Sequence, residues 1–281
     1  MRYLILVCAL VCFALNSLFT RYVINSQLLD EYTYTGLRLA SGAAMLAVIL
    51  IASEKSVRKL SGYGSWYGAI TLLMYLVGFS LAYTALDAGF GALILFTSVT
   101  LTMVVGGLLL GQRLSGVQWG ALVVALISLS VLLNPVVSDI SWPAVVAMMI
   151  SGLGWGAYSL HGATLSERGQ GATQSTAGSF IKCSLFVPII LLFTPSMVFT
   201  WYGAVLAIIC GAITSGLGYV MWYQSLIWLK ADTAATLQLT VPIITLFLGF
   251  ILLSESISLI QAVCAAVILV SVGVYLKQKR T

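Results

Sequence analysis

Long apolar segments alternate with short polar ones along almost the whole chain. A segment of roughly 20 apolar residues is long enough to cross the hydrocarbon core of a bilayer as an α-helix. Cutting the chain at its polar and turn-rich points gives ten such segments, at 3–24, 31–52, 64–86, 88–110, 115–133, 142–162, 172–193, 201–224, 233–253 and 257–276. Because lipid offers the backbone no hydrogen bonds, we predict an all-α polytopic membrane protein with ten transmembrane helices.

The composition supports this prediction. Of the 281 residues, 60% are hydrophobic and only 7% are charged, whereas soluble domains carry about 25% charged residues. A chain with so few charges cannot cover its surface with polar groups in water. The first apolar segment continues to about Ile24 without a clean small-residue cleavage site, so we interpret it as a retained span rather than a signal peptide.

The lysines and arginines lie mostly on one side of the predicted membrane. The side of the N-terminus holds ten of the thirteen: Arg2, Lys55, Arg58, Lys59, Arg113, Arg168, Lys230, Lys277, Lys279 and Arg280. Arg21 lies on the opposite side, and Arg38 and Lys182 fall within spans. Basic residues are enriched in cytoplasmic loops, which predicts a protein of the cytoplasmic (inner) membrane with both termini in the cytoplasm. Their scattering argues against binding to nucleic acid.

Part of the chain repeats itself. Aligning 88–133 with 231–276 matches polar and glycine positions, which are Thr97/Thr240, Gly106/Gly249, Ser115/Ser258, Gln118/Gln261 and Ser128/Ser271. We therefore divide the chain into two five-span repeats, 1–136 and 137–281. Because five is odd, the second repeat enters the membrane from the opposite side. Inverted repeats of this kind recur in secondary transporters, with substrate bound near the midplane between the halves.

Motifs along nearly the whole chain resemble the drug/metabolite transporter superfamily in its ten-span EamA-type branch. These are GLRLASGA at 36–43, AYTALDAGFGALILF at 82–96, LLLGQRLSGVQWG at 108–120, GWGAYSL at 154–160 and LQLTVPIITLFLGFILLSESISLIQ at 237–261. The resemblance implies a transporter of small molecules in which spans 1–4 and 6–9 enclose the pathway and spans 5 and 10 lie outside it.

The chain departs from the family pattern in its first half. The pattern has a mid-span proline and a Gly-Glu-Arg-like turn; the second half keeps Pro242 and Glu255, whereas the first half has Val99 and Gln112. Glu255 is either a proton carrier or a structural residue that suits the positive end of the tenth helix. Gln112, at the matching turn, forms hydrogen bonds but does not titrate. We favour the structural interpretation, and the resemblance does not support a mechanism that needs two glutamates.

Two basic residues within spans are candidates for substrate binding. An ionised group at depth costs about 2.5–3.5 kcal/mol on insertion scales, and such groups usually face the bundle interior or a wet cavity. Arg38 either lines a cavity or pairs with Asp30 or Glu31 at the membrane edge. Lys182 lies deeper in its span, without an acidic neighbour in sequence. We predict that Arg38 and Lys182 together bind the carboxylate of a substrate.

Uncharged polar and aromatic side chains at mid-span depth complete the predicted site. They are Asn16, Tyr75, Trp155, Tyr158 and Gln238. His161, near the N-terminal side, is either a proton relay or a packing residue. We expect Pro242 to kink the ninth helix.

The sequence indicates no cofactor, metal site or catalytic centre. It contains no nucleotide-binding loop, metal-ligand cluster or nucleophile–base pair, and its five cysteines lie in apolar segments without a CxxC pair. We therefore predict that the protein is not an enzyme. Without an ATP site, uphill transport must use the membrane potential or an ion gradient, with protons as a candidate coupling ion.

These features predict a secondary transporter that exports small metabolites, amino acids first, by alternating access around a central cavity. A carrier of phosphorylated or lipid-linked metabolites, a facilitator without alternating access, and a non-transporting membrane subunit or embedded enzyme remain alternatives. Ten spans enclose a cavity within one chain, so a monomer and a homodimer both fit.

Overall fold

The computed structural model describes residues 2–54, 62–86, 88–133, 141–194, 198–253 and 257–278, in which regular structure is helical apart from one isolated β-bridge between Leu29 and Phe199. Within these ranges the helices form ten consecutive segments: α1 (Arg2–Asn25), α2 (Glu31–Glu54), α3 (Trp66–Ala82), α4 (Ala88–Leu109), α5 (Gly116–Leu133), α6 (Trp142–Glu167), α7 (Ala172–Ser184 and Val187–Leu192), α8 (Trp201–Ile209, the π-helical Cys210–Leu217, and Gly218–Leu226), α9 (Ala231–Gln238 and Val241–Leu253) and α10 (Leu259–Lys277). Of the described segments, seven are long and apolar enough to cross a membrane, and α3, α4 and α5 contain shorter apolar helices. The predicted fold class, an all-α polytopic membrane protein, is confirmed.

Two helices are interrupted just before a proline. A proline at position i lacks an N–H and its ring collides with the carbonyl of residue i−4. In α7 the first piece ends four residues before Pro188, and in α9 it ends at Gln238, four residues before Pro242. The hydroxyl of Thr240 donates to the carbonyl of Leu237 at 2.7 Å, which satisfies one acceptor at the break. The kink expected at Pro242 is thus a break in the helix.

The helices α5 and α10 begin with the same capping box, in which side chain and backbone satisfy each other at the helix start. The Ser115 hydroxyl accepts the Gln118 N–H at 3.2 Å, and the Gln118 side-chain oxygen accepts the Ser115 N–H at 3.0 Å. In α10 the corresponding distances for Ser258 and Gln261 are 3.2 Å and 2.9 Å. The two helices also pack against each other. Residues matched by the repeat therefore have the same structural role in both halves.

A second pair of caps relates α3 to α8. The sequence SWYGAI at 65–70 corresponds to TWYGAV at 200–205. The Ser65 hydroxyl accepts the Gly68 N–H at 2.9 Å, and the Thr200 hydroxyl accepts the Gly203 N–H at 3.0 Å. The internal repeat thus extends beyond the aligned segments 88–133 and 231–276.

The loops before these two caps each cross to the other repeat. Before α3, the N–H of Gly64 donates to the side-chain oxygen of Gln170, in the turn between α6 and α7, at 3.0 Å. Before α8, the N–H of Thr200 donates to the carbonyl of Leu28, in the turn between α1 and α2, at 3.0 Å. Because α2 runs from the turn that holds Leu28 to the loop that holds Gly64, the two crossings lie at opposite ends of this helix.

Glycines of α6 allow close helix packing between the two repeats. A Cβ atom at Gly152 would lie 2.9 Å from the carbonyl oxygen of Leu95 in α4, and one at Gly154 would lie 2.7 Å from that of Thr71 in α3. Small residues permit such close approach between helices in a membrane. The interior of the protein is therefore the interface between the repeats, and the polar cluster described next lies there.

Candidate functional site

The guanidinium of Arg38 is buried in this interface, with 1% of the residue exposed. Its Nε donates to the hydroxyl of Ser215 at 2.8 Å, and its Nη2 donates to the hydroxyls of Tyr219 at 2.9 Å and Tyr75 at 3.3 Å. Among the described residues, Nη1 has no hydrogen-bond partner and no carboxylate pairs with the group. The structure therefore places a buried cation among neutral hydroxyls.

Asp30, one of the two carboxylates considered as a partner for Arg38, has another role. Its Oδ1 accepts the backbone N–H groups of Thr33 at 2.8 Å and Tyr32 at 3.1 Å. Such a carboxylate satisfies backbone donors that have no partner within the helix at its start. Asp30 thus caps α2, whereas Arg38 lies two turns further into the same helix.

Aromatic rings surround the guanidinium. Its Cζ lies 5.7 Å from the ring centroids of both Tyr75 and Phe79, within the range of cation–π attraction. The indole of Trp155 lies 5.0 Å from the Tyr75 ring and 4.6 Å from the Tyr219 ring. We refer to Arg38, Tyr75, Phe79, Trp155 and Tyr219 as the Arg38 cluster. It draws on α2, α3, α6 and α8, and so on both repeats.

The π-helical segment of α8 is anchored by Asn16 of α1. The Asn16 Oδ1 accepts hydrogen bonds from the Thr214 hydroxyl at 2.6 Å, the Ser215 hydroxyl at 3.0 Å and the Cys210 thiol at 3.1 Å. Its Nδ2 donates to the Thr214 carbonyl at 3.2 Å. Since Ser215 donates to Asn16 and accepts from Arg38, Asn16 holds the hydroxyl on which the guanidinium rests. Short π-helical segments occur frequently at functional sites.

Replacing Asn16 with alanine is expected to destabilise the protein by about 1–3 kcal/mol, because buried donors of α8 lose their acceptor. Thermal unfolding in detergent measures the effect, and Asn25→Ala is the matched control because Asn25 is exposed at the end of the same helix. Equal midpoints for the two variants would contradict a structural role for Asn16.

A cavity of about 20 Å³ lies beside the Arg38 cluster, at the centre of the bundle. Its lining comes from α1, α3, α4, α6 and α9 and includes Ser17, Tyr75, Trp155 and Gln238. The Nε1 of Trp155 donates to the Oε1 of Gln238 at 2.7 Å, which ties α6 to α9 across the cavity. This volume holds about one water molecule.

Two larger openings lie at the ends of the bundle. The N-side vestibule, of about 470 Å³, lies at the ends of α4, α6 and α8 and the start of α9, where Gln112, Glu167 and Lys230 line it. The far-side vestibule, of about 450 Å³, lies at the turn between α1 and α2 and includes Asp30 and Thr84. The small central cavity shares no lining residue with either opening.

The predicted site residues therefore separate into groups. Tyr75, Trp155 and Gln238 line the central cavity. Arg38 lies behind Tyr75 and Phe79, which line the cavity and contact the guanidinium. Asn16 supports Ser215, one layer further out.

Tyr158 and Lys182 lie elsewhere. The ring of Tyr158 packs 5.7 Å from that of Trp155 and 4.9 Å from that of Tyr223, and Tyr158 does not line the cavity. The ammonium of Lys182 donates to the carbonyl of Tyr63, in the loop before α3. The structure does not bring the Lys182 ammonium into the Arg38 cluster, so a carboxylate site shared by the two basic residues stays a prediction.

The two residues considered for proton transfer lie away from the cluster or outside the described ranges. The Nε2 of His161 lies 2.6 Å from the Ser65 hydroxyl, at the N-terminal side, and its ring meets that of Tyr67 edge-on at 4.9 Å. Glu255 falls outside the described residues, while Gln112, at the matching turn, lines the N-side vestibule. Among the described residues, no group of three His, Cys, Asp or Glu side chains lies close enough to hold a metal ion.

Sequence analysis missed Ser215 and Tyr219, which bind the guanidinium. A signal for them exists, since they are four residues apart and so share one face of a helix. It lies within TSGLGY at 214–219, where Ser215 precedes one glycine and Tyr219 follows the other. The glycines indicate close packing of helices. The hydroxyl groups of Ser215 and Tyr219, on one helix face, are a separate signal, which indicates a polar site.

Comparisons with known proteins agree with this architecture. The profile of the EamA-like transporter family matches the chain twice, at residues 1–134 and 142–276. An uncharacterized protein of Pseudomonas aeruginosa is 38% identical over 256 residues, which cover 91% of this chain and 87% of that protein. A protein of Archaeoglobus fulgidus described as an uncharacterized transporter is 20% identical over 265 residues, covering 93% and 94% of the two chains.

A protein of known crystal structure has the same fold. It superposes with a TM-score of 0.76 at 17% sequence identity, over 95% of this chain and 96% of the other. At this level of identity the likeness concerns the fold alone. The superposition includes nearly the whole of this chain.

Proposed function

The chain belongs to the EamA-like transporter family, and we propose that it is a secondary carrier that exports small amphipathic carboxylates, amino acids first, by alternating access around the central cavity. Family membership makes it a multi-pass membrane protein that transports small molecules across a lipid bilayer. The substrate class, the direction and the coupling are our proposal, and the arguments for them follow.

The observation that carries the proposal is the buried guanidinium of Arg38 without an anionic partner among the described residues. A charge buried without a counter-ion is costly, and a carboxylate forms strong charge-assisted hydrogen bonds with a guanidinium. The bond to Tyr75, at 3.3 Å, is the longest of the three that the group makes. When the cavity widens, a substrate carboxylate therefore replaces Tyr75 and also reaches Nη1.

The remaining wall of the cavity suits the rest of an amino acid. The rings of Tyr75, Phe79 and Trp155 offer apolar surface to a side chain and π faces to an ammonium group. Gln238, which is hydrogen-bonded to Trp155, adds an amide to the lining. Arg38 is the cation in the Arg38 cluster, and one positive charge suits a single carboxylate better than a diphosphate. This favours amino acids over phosphorylated metabolites as the substrate.

The proposed orientation follows from the basic residues of the sequence, ten of which lie on the N-terminal side against one on the other. This places both termini in the cytoplasm and the protein in the inner membrane. The N-side vestibule then faces the cytoplasm, where metabolites for export are made. Helices of one chain enclose the cavity, so a monomer suffices.

Efflux from proteoliposomes loaded with a mixture of amino acids tests the proposal. Mass spectrometry is expected to show protein-dependent loss of a few of them, faster with an inward proton gradient than without one if protons are the coupling ion. The corresponding amino-acid amides, which lack the carboxylate, serve as matched controls and are expected to stay inside. Acceleration by substrate on the far side distinguishes a carrier from a facilitator.

Two outcomes would contradict the proposal. Efflux of amides at the rate of the amino acids would remove the carboxylate from the recognised groups. Efflux of phosphorylated metabolites alone would replace the proposed substrate class with the alternative one.

A further inference from the structure

A contact between two side chains, here called the barrier, links the lining of the N-side vestibule to that of the central cavity. Met103 of α4 lines the vestibule, and Gln238 of α9 lines the cavity. The two side chains touch, with the Nε2 of Gln238 3.1 Å from the Sδ of Met103. Both residues are buried, at 1% exposed or less.

The barrier is a weak contact. A thioether sulfur is a weak hydrogen-bond acceptor compared with a carbonyl oxygen. The other end of the Gln238 amide is held firmly, because its Oε1 accepts the Trp155 Nε1 at 2.7 Å. The Trp155 ring in turn lies 5.0 Å from Tyr75, a ligand of Arg38. The barrier is thus connected through side-chain contacts to the proposed substrate site.

The helix that carries Gln238 has a hinge at the right position. Gln238 is the last residue of the piece Ala231–Gln238, and the break before Pro242 follows directly. This piece packs against α4, the helix of Met103, and Ala231 at its start lines the N-side vestibule. A short helical piece next to a break moves as a unit without disturbing the helix beyond it.

The first repeat lacks this hinge. The position that corresponds to Pro242 is Val99, and α4 runs through it from Ala88 to Leu109 without interruption. Of the two repeat-matched helices, α4 and α9, only α9 is broken in the part of the chain that the structure describes, and its short piece borders the N-side vestibule.

We propose that the Met103–Gln238 contact is the inner gate of the transport route, and that it opens when Ala231–Gln238 swings away from α4. The substrate passes between the N-side vestibule and the cavity at this point. The inference rests on the alternating-access part of the proposed function but not on the identity of the substrate. It assigns Met103 and Gln238 a gating role that is separate from substrate binding by Arg38.

Thiol accessibility in the full-length protein tests the gate. In a background without native cysteines, in which Cys210→Ser keeps a donor to Asn16, Ser17→Cys reports on the cavity and Ala163→Cys on the N-side vestibule. A membrane-impermeant methanethiosulfonate is applied from the N-terminal side, with no substrate present. Adding Met103→Ala or Gln238→Ala is expected to speed labelling of the Ser17→Cys reporter about two- to fivefold, the population shift that follows from losing a hydrogen bond at the weak end of the usual range.

The matched control is Met148→Ala, which removes an equally buried methionine outside the barrier. It is expected to leave labelling of the cavity reporter unchanged, and the vestibule reporter is expected to react equally in every variant, which also shows that each is folded. Unchanged labelling of the cavity reporter in both gate variants, or equal acceleration by Met148→Ala, would overturn the inference. Because no substrate is present, the labelling results do not depend on the efflux experiment. The proposed gate and the proposed substrate class can therefore be contradicted independently of each other.

Discussion

Replacing Arg38 with glutamine is expected to lower the initial rate of export about ten- to hundredfold at low substrate concentration, the loss that follows from removing a charge-assisted hydrogen bond of about 1.5–3 kcal/mol. Glutamine removes the positive charge but keeps donors for Ser215 and Tyr219, which anchor the side chain. Efflux of the substrate identified in proteoliposomes, measured over a range of concentrations, gives the rate. A single monodisperse peak in size-exclusion chromatography establishes that the variant is folded.

Lys182→Gln is the matched control, because it makes the same change of charge at the other basic residue within a span. The structure places the Lys182 ammonium on the carbonyl of Tyr63 rather than in the Arg38 cluster. We therefore expect the concentration for half-maximal export to be unchanged in this variant. A folded Arg38→Gln protein with normal export would remove Arg38 from the substrate site. Equal losses in both variants would restore the shared carboxylate site that the sequence predicts.

The sequence predicts how deep a residue lies in the membrane better than it predicts which way the side chain of that residue faces within the bundle. Span length and polarity place Arg38 and Lys182 at depth, and both lie within helices α2 and α7. Which face of α7 meets the interior depends on every helix around it. Phe180 faces the cluster, with its ring 5.7 Å from that of Tyr219, whereas Lys182 two residues later faces the loop before α3. Two residues along a helix correspond to a rotation of about 200°.

The same limit applies to Asn16, whose predicted role in substrate binding stays a prediction. Its depth suggests a residue that lines the pathway, but its partner is the π-helical segment Cys210–Leu217 of α8. An extra residue in one turn rotates the rest of the helix and decides which hydroxyls meet Asn16. No feature of CGAITSGL predicts that irregularity from local pattern alone. The breaks before Pro188 and Pro242 are different, because the missing N–H of a proline is a property of the sequence itself.

A second part of the internal repeat, absent from the prediction, is present in the sequence. The WYGA motif at 66–69 recurs at 201–204, but at a shorter spacing than the one that aligns 88–133 with 231–276. A search at one fixed offset therefore passes over it. In the structure the two copies start the helices whose preceding loops cross between the repeats at Gln170 and Leu28. The inversion inferred from an odd number of spans thus has a counterpart in matched contacts at opposite ends of α2.

The Arg38 cluster depends on the close approach of α2 and α8. A Cβ atom at Gly211 would overlap with the Ser41 hydroxyl and with the carbonyl oxygen of Arg38. The second of these atoms belongs to the backbone, so the clash cannot be relieved by a rotamer change. Gly211 lies four residues before Ser215, the ligand of the Arg38 Nε. Gly211 therefore affects both the packing of α2 against α8 and the position of Ser215 beside Arg38.

Replacing Gly211 with alanine is expected to destabilise the protein by about 3 kcal/mol, at the upper end of the usual range for overpacking. For a chain of this length that corresponds to a fall of roughly 6–12 °C in the thermal unfolding midpoint, measured in detergent. Gly273→Ala is the matched control, since no atom lies within 4 Å of the added Cβ in α10. The control is expected to keep or raise the midpoint, because alanine favours helix by about 0.8–1.0 kcal/mol over glycine. If both variants unfold at the same temperature, α2 and α8 lie further apart than this packing requires, and Ser215 then lies too far from Arg38 to anchor it.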